Sequence, residues 1–365
     1  MTRRRLGRSI TNYLLAVILL CSPALGRADA VDDLVKEEMR QRHVPGLTLA
    51  VIRDGKTLKA QGYGLANVEH QVPAKRETVY QSGSVGKQFT ATAVMQLVEE
   101  GRVRLDDPVG TYFPEAPKTW ERATIRHLLN HTTGMWDRNF WPKMNLREDM
   151  TEEQLLRAVF SLELTVAPGF AVAYSNAGYV VLGILISRVS GKPYAEFLKE
   201  RIFEPLGMET ARVISEDDIV PNRAAGYRLV DGKLKNQEWV APANNMTGDG
   251  ALYFTVDDLA KWDGALYTQR VLKKSSLEQM WAPTKTDSGA ISEYGFGWAV
   301  DGIKGHRRVH HAGAWQGFSS SIQRYYDDRL TVIVLMNLAY PDGRAGEVAN
   351  KVARLYLAES QTKRD

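Results

Sequence analysis

The 365-residue chain holds one cysteine, Cys21, and it falls in the first thirty residues. If that segment is removed, disulfides and thiol catalysis are both excluded. No apolar run reaches the ~20 residues that a membrane-spanning helix needs. Leu14 to Cys21 is unbroken but short, and Gly178 to Val189 reads as a buried helix. The chain also has no Gly-rich phosphate loop, no His-Glu-x-x-His and no basic run interleaved with aromatics. Phosphate-cradle, zinc-hydrolase and nucleic-acid-binding readings therefore have nothing to rest on. Repeats, heptads and low-complexity linkers are missing too, so one large domain or two intimately joined lobes is expected.

Residues 1–30 have the organisation of a secretory signal. Arg3, Arg4, Arg5 and Arg8 form a basic start, the apolar run follows, and Ala28-Asp29-Ala30 fits a small-x-small cleavage site. Ala24-Leu25-Gly26 is a second candidate, and a retained anchor is the competing reading. Thr2 to Leu6 resembles a twin-arginine signal only loosely, and Leu20 stands where a lipoprotein signal has a small residue before Cys21. The mature chain is expected to start near Val31 and to be secreted, periplasmic or extracellular. The net charge of +4 is a property of this leader. Residues 1–30 hold five arginines and one aspartate, so the remainder has 42 basic and 42 acidic residues. No nucleic-acid partner and no stable membrane span are expected after signal removal.

Hydrophobic patterning predicts helices over Val31–Arg42, Ser84–Glu100, Glu152–Leu162, Gly178–Val189, Tyr194–Ile202 and Glu347–Leu357. It predicts strands over Gly46–Ile52 and Thr57–Gly64, joined by an Asp54-Gly55 hairpin turn. Later strands are expected over Phe296–Val300, Arg307–His311, Phe318–Tyr326 and Thr331–Met336. Strands at both ends around a helical middle imply an α+β fold. Its single antiparallel sheet would be built from the N- and C-terminal segments, with the terminal helices on one face. A mostly helical lobe, about 101–283, would be inserted, and the site would lie in the cleft between.

Three short motifs carry the chemistry. Ser84-Val85-Gly86-Lys87 places an amine three residues after a hydroxyl, on one face if both are helical. Tyr174-Ser175-Asn176 adds a phenol that can relay a proton and an amide that can grip a substrate amide. His311-Ala312-Gly313 looks like a strand edge that a substrate backbone can approach closely. Each is weak alone: a serine at a helix start is most often a cap, and Tyr-Ser-Asn is most often a turn. Ser-x-x-Lys recurs at Ser360 to Lys363, in a polar tail. Ser84 has the better context, a Gln81–Ser84 turn leading into an amphipathic helix, where free N–H groups favour negative charge. Ser82 to Gly86 nearly mimics a Gly-x-Ser-x-Gly elbow but lacks the first glycine and a leading strand. His127 and His131, four apart, could share a helix face as metal ligands do, yet no carboxylate or cysteine cluster supports them. Neither a metal nor a cofactor is expected.

The sequence around these motifs resembles the family of class C β-lactamases, serine D-peptidases and related esterases. The stretches that carry the resemblance are YQSGSVGKQFTATAVMQLVEEGRV, TIRHLLNHTTGM, APGFAVAYSNAGYVVLGILISRVSG, IFEPLGMETA and HHAGAWQGFSSSIQRYYDDRLTVIVLMN. They run from about Leu34 to about Leu357. The resemblance implies a β-lactamase/transpeptidase-like fold in a hydrolase domain of residues 31–360. It implies Ser84 as nucleophile, with Lys87 and Tyr174 as the proton-transfer groups. Asn176 would hold the acyl-side amide, the amides of Ser84 and Ala314 would form the oxyanion hole, and His311 and Gly313 would line the substrate strand. A lysine amine or a phenol stabilised by it could serve as the base, and the residues leave both open.

The third motif departs from the Lys-Thr-Gly common among β-lactamases. His-x-Gly in this family goes with D-peptidases and some esterases, and His311 is expected to replace the lysine as a carboxylate contact when charged. Trp315 either narrows the acyl or leaving-group pocket or packs in the core. The expected function is cleavage of ester or amide bonds, through an acyl-enzyme, in small molecules or short D-amino-acid peptides. DD-carboxypeptidase or class C-like β-lactamase activity, and a penicillin-binding sensor that does not turn over, are the alternatives. β-Lactams are thus among the candidate ligands.

Overall fold

The computed structural model describes residues 23–136, 145–215, 217–245 and 247–362. The basic start and apolar run of the expected signal, and Lys363 of the second Ser-x-x-Lys copy, lie outside these residues. The first helix, α1 (Pro23–Arg42), begins earlier than expected and runs through the expected cleavage site. Val31 and Val35 of this helix are fully buried in the core.

Seven antiparallel strands make the main sheet. They are β1 (Gly46–Arg53), β2 (Lys56–Asn67), β3 (Val72–Pro73), β4 (Ala299–Ile303), β5 (His306–Trp315), β6 (Phe318–Tyr325) and β7 (Leu330–Met336). Their order is β4-β5-β6-β7-β1-β2-β3, so the two chain ends meet where β1 pairs with β7, Leu47 opposite Met336. Alternation along the strands sorts side chains between two cores. Leu47, Leu49 and Val51 join Val332, Val334 and the helix α7 (Ala345–Thr362) on one face, under α1. Ala50, Ile52, Ile333 and Leu335 face the larger core shared with the inserted lobe. The hairpin turn is as expected: Asp54 (φ 52°) and Gly55 (φ 73°) both take positive φ, which suits a two-residue turn between Arg53 and Lys56.

The lobe contributes α2 (Lys87–Glu99), α3 (Ile125–Leu129), α4 (Glu152–Phe160), α5 (Asn176–Ser190) and α6 (Val256–Ala265). Helix α5 is buried from Ala177 to Ile186 at the centre of the larger core. Among the described residues no helix is long and apolar enough to cross a membrane.

Three expectations are corrected. The strand foreseen over Phe296–Val300 starts at Ala299. Phe296 and Trp298 alternate like strand residues because both are buried, but Gly297 (φ 73°) turns the chain against the main chain of Lys87. Ser84 lies not in the α-helix but in a 3₁₀ turn, Gly83–Gly86, that leads into it. That turn brings positions i and i+3 into eclipse, which aligns Ser84 with Lys87 more directly than an α-helix would. His127 and His131 do not share a helix face, since α3 ends at Leu129 and His131 follows in a left-handed conformation (φ 61°). The His127 ring instead closes a capping box with Thr124 at the start of α3.

Candidate active site

Lys87 stands at the first position of α2 with its side chain fully buried. Its Nζ donates to Ser84 Oγ (3.0 Å), Asn176 Oδ1 (2.6 Å) and the main-chain carbonyl of Asp249 (2.5 Å). Three acceptors match the three donors of an ammonium and fix the amine against the serine hydroxyl. Ser84 caps nothing: the residue before α2 is Gly86, which has no side-chain cap. The neighbouring Ser82 is the structural serine, buried and donating to the Gly250 carbonyl (2.8 Å).

Tyr174 and Asn176 flank the cap of α5. Ser175 accepts the Gly178 N–H and ends the preceding loop, so Asn176 opens the helix and Tyr174 stands just before it. The Tyr174 ring lies 5.1 Å from Lys87 Nζ and is 41 % exposed, so its phenol is reachable from solvent while the lysine is not. Because Asn176 Oδ1 is taken by Lys87, any substrate contact through that oxygen would compete with the lysine.

Strand β5 presses directly on the Ser84 turn. A methyl group on Gly313 would fall 2.0 Å from the Ser82 carbonyl and 2.3 Å from Ser320 Oγ, which donates to that carbonyl. A methyl on Gly83 (φ 50°) would fall 2.5 Å from the Ala314 nitrogen. Only glycine allows these approaches, and they bring the Ser84 and Ala314 segments together. Ser84, Asn176, Asn244, Asp249, Ala314 and Trp315 then line one cavity of about 260 Å³. Trp315 thus sits in the wall of this cavity, half-buried and not packed in the core.

His311 is corrected as a charged contact. It is 6 % exposed, its Nε2 meets the Tyr294 hydroxyl (2.9 Å) and its Nδ1 meets the Ala312 carbonyl (2.7 Å). Burial, then the positive charge of Lys87, pushes its pKa down to about 3, so the ring is neutral at any ordinary pH. Two contributors carried no recognisable sequence signal, and a third, His131, reads in the sequence only as a possible metal ligand. The Asp249 carbonyl is a main-chain group that any residue could supply. Tyr294 makes an isolated antiparallel bridge with Ala299 just before β4, and burial raises its phenol well above the usual range. His131 lies under the Tyr174 ring, with 4.3 Å between ring centres.

A serine, a buried amine in contact with it, a phenol beside the amine and a small cavity bounded by main-chain groups can together support nucleophilic acyl transfer. The beta-lactamase family model matches residues 31–356. The chain belongs to the beta-lactamase family. Penicillin-binding protein 4* of Bacillus subtilis is 30% identical over 321 residues, covering 82% of this chain and 70% of that protein. A D-aminopeptidase of Gluconobacter oxydans is 28% identical over 302 residues, covering 80% of this chain and 56% of its own length. Among solved structures, the octameric penicillin-binding protein homologue from Pyrococcus abyssi matches with a TM-score of 0.80 and 31% identity, over 91% of this chain and 77% of that one. The D-amino acid amidase from Ochrobactrum anthropi SV3, complexed with L-phenylalanine amide, matches with a TM-score of 0.79 and 26% identity, over 93% and 100%. As a beta-lactamase-family member the protein is a serine hydrolase, with the antiparallel sheet and flanking helices of that fold.

Proposed function

We propose that the protein cleaves ester or amide bonds of small molecules or short D-amino-acid peptides through an acyl-enzyme on Ser84. The observation that carries this is the buried Lys87 amine, held 3.0 Å from Ser84 Oγ at the wall of the cavity. In the reaction, Ser84 Oγ bonds to the acyl carbon and loses its proton to Lys87 as neutral amine or to Tyr174 as phenolate. The proton then passes to the leaving amine or alcohol. Water next cleaves the acyl ester, releasing the acid and restoring the serine hydroxyl. The amides of Ser84 and Ala314 are the donors for the oxyanion, and Asn176 is the amide nearest the acyl side. Lys87→Met and Tyr174→Phe should each slow acylation by about 10²–10⁴-fold, the usual worth of positioned proton transfer. Near wild-type rates in both would remove them from the mechanism.

The D-aminopeptidase and D-amino acid amidase relatives favour small D-configured amides, and a cavity of about 260 Å³ with Trp315 in its wall favours small acyl groups. The penicillin-binding relative favours a second reading, a protein that is acylated by β-lactams and deacylates too slowly to turn over. Purified protein offered p-nitrophenyl esters, a chromogenic cephalosporin and D-Ala-D-Ala peptides, with intact mass followed throughout, separates the two. Turnover supports the hydrolase, and a long-lived adduct with no turnover of any substrate supports the sensor. Export is part of the same proposal, supported by the basic start, the apolar run and a family match that begins at residue 31. N-terminal sequencing of protein recovered from the envelope or medium should find Val31 or a close neighbour. A chain still carrying Arg3 to Arg8 would contradict it.

A further inference from the structure

His131 was set aside as a metal ligand, and the reaction as proposed makes no use of it. Yet it is 1 % exposed and stands in the left-handed region, which is uncommon for a residue other than glycine. Its hydrogen bonds converge on one place. The main-chain carbonyl of His131 accepts the Ala173 N–H (2.8 Å), and its ring Nδ1 accepts the Ser175 N–H (3.1 Å). Ala173 and Ser175 are the two residues on either side of Tyr174. The ring itself lies 4.3 Å from the Tyr174 ring, 4.7 Å from Tyr294 and 5.2 Å from Tyr179.

We propose that His131 is the positioning residue for Tyr174: one residue grips both peptide N–H groups flanking the tyrosine and supports its ring from below. The inference rests on the reading of Tyr174 as a proton-transfer group. Nearby segments hold the clamp in register. Gly169 N–H donates to the Thr132 carbonyl and Thr165 N–H to the Gly134 carbonyl, so the loop after α3 and the loop before α5 are laced along their length. The clamp needs an accepting Nδ1, which places the ring hydrogen on Nε2, an atom with no hydrogen-bond partner among the described residues. Burial and the adjacent positive charge of Lys87 keep the ring in that neutral form. A histidine kept only for packing would not need an acceptor at Nδ1, and a leucine of similar reach would serve.

The test compares His131→Asn with His131→Leu. Asparagine tolerates the left-handed conformation and places Oδ1 where Nδ1 was, whereas leucine fills much of the same space without an acceptor. His131→Leu should lower the rate constant for phosphonylation of Ser84 by a fluorophosphonate, which forms the O–P bond and expels fluoride, by about 10–100-fold, while the probe's non-covalent binding constant changes less than about 3-fold. His131→Asn should recover to within about 5-fold of wild type. In a Tyr174→Phe background His131→Leu should cost less than about 3-fold further, because the group it positions is gone. If Tyr174→Phe slows phosphonylation but both His131 variants react at the wild-type rate, or if His131→Leu costs as much without the phenol as with it, the positioning role is wrong. If Tyr174→Phe itself changes nothing, the proton-transfer reading fails first and separately. Should neither His131 variant fold, hydrogen exchange of the Ser175 amide in the wild-type protein still decides. At least about 100-fold slowing relative to an unstructured peptide is expected, and exchange at the unstructured rate would overturn the clamp.

Discussion

At the scale of single residues, His311 shows how burial overrides a residue's usual chemistry. A histidine in place of the family's lysine suggested a ring that would attract a carboxylate when charged. In the fold both ring nitrogens are engaged and the pKa lies at about 3. The ratio of kcat/KM for a carboxylate-bearing D-peptide to that for a neutral ester should therefore stay flat between pH 8 and 5.5. A ratio that climbs as pH falls would mean that His311 does become charged. The same shift has a consequence for stability. The unfolded histidine takes up a proton below about pH 6.5, while the folded one waits until about 3, so the unfolded state binds more protons in between. Stability from this source is complete above pH 6.5 and is lost on acidification at up to about 1.4 kcal/mol per pH unit. His131, also held well below its usual value by burial, adds to the same trend. Denaturant titrations at pH 7 and pH 5 should show this loss, and His311→Asn should make it shallower. An equal slope in the variant would assign the acid sensitivity to other groups.

At the scale of elements, the site is an assembly of close approaches between β5, the Ser84 turn and the start of α5. Gly313→Ala is the most direct probe, since its methyl would overlap the Ser82 carbonyl at 2.0 Å and Ser320 Oγ at 2.3 Å. The strand must move off the turn, and displacing catalytic groups by about 1 Å typically costs about 10²-fold. Acylation should fall by at least that much while the sheet remains folded. A fully active Gly313→Ala enzyme would show that β5 does not set the geometry at Ser84. The parts of this assembly legible in the sequence are those supplied by side chains. Ser84, Lys87, Tyr174 and Asn176 stand in short motifs, and the structure gathers them around one amine. The Asp54-Gly55 turn was legible because few residue pairs adopt positive φ twice in succession. What was not legible acts through the main chain or across long sequence distances. The Asp249 carbonyl is 162 residues from the lysine it receives, and Tyr294 is 17 residues from its histidine in a stretch without a motif. Phe296 and Trp298 were misread as strand because a buried turn and a half-buried strand can share the same alternation.

At the scale of the whole molecule, the sheet and the inserted lobe are tied by a buried ion pair. Asp263 on α6 accepts from Arg324 Nε on β6 (2.5 Å) and from Thr331 Oγ1 on β7 (2.8 Å), with both charges almost fully enclosed. The guanidinium is packed between the rings of Tyr267 and Trp281, 4.6 and 5.2 Å from their centres. Asp263→Ala leaves that charge buried without its partner and should cost about 3–5 kcal/mol, read as a lowered denaturation midpoint. A change below about 1 kcal/mol would show that water or another group satisfies the arginine.

The two lobes together hold one hydroxyl against one amine at the wall of a small cavity. The most direct measurement is intact mass after reaction with a fluorophosphonate, followed by peptide mapping. The wild-type chain should gain a single adduct on the peptide holding Ser84, and Ser84→Ala should gain none. An adduct that persists at the same stoichiometry in Ser84→Ala, or maps to another peptide in the wild type, would contradict the assignment of Ser84 as the nucleophile.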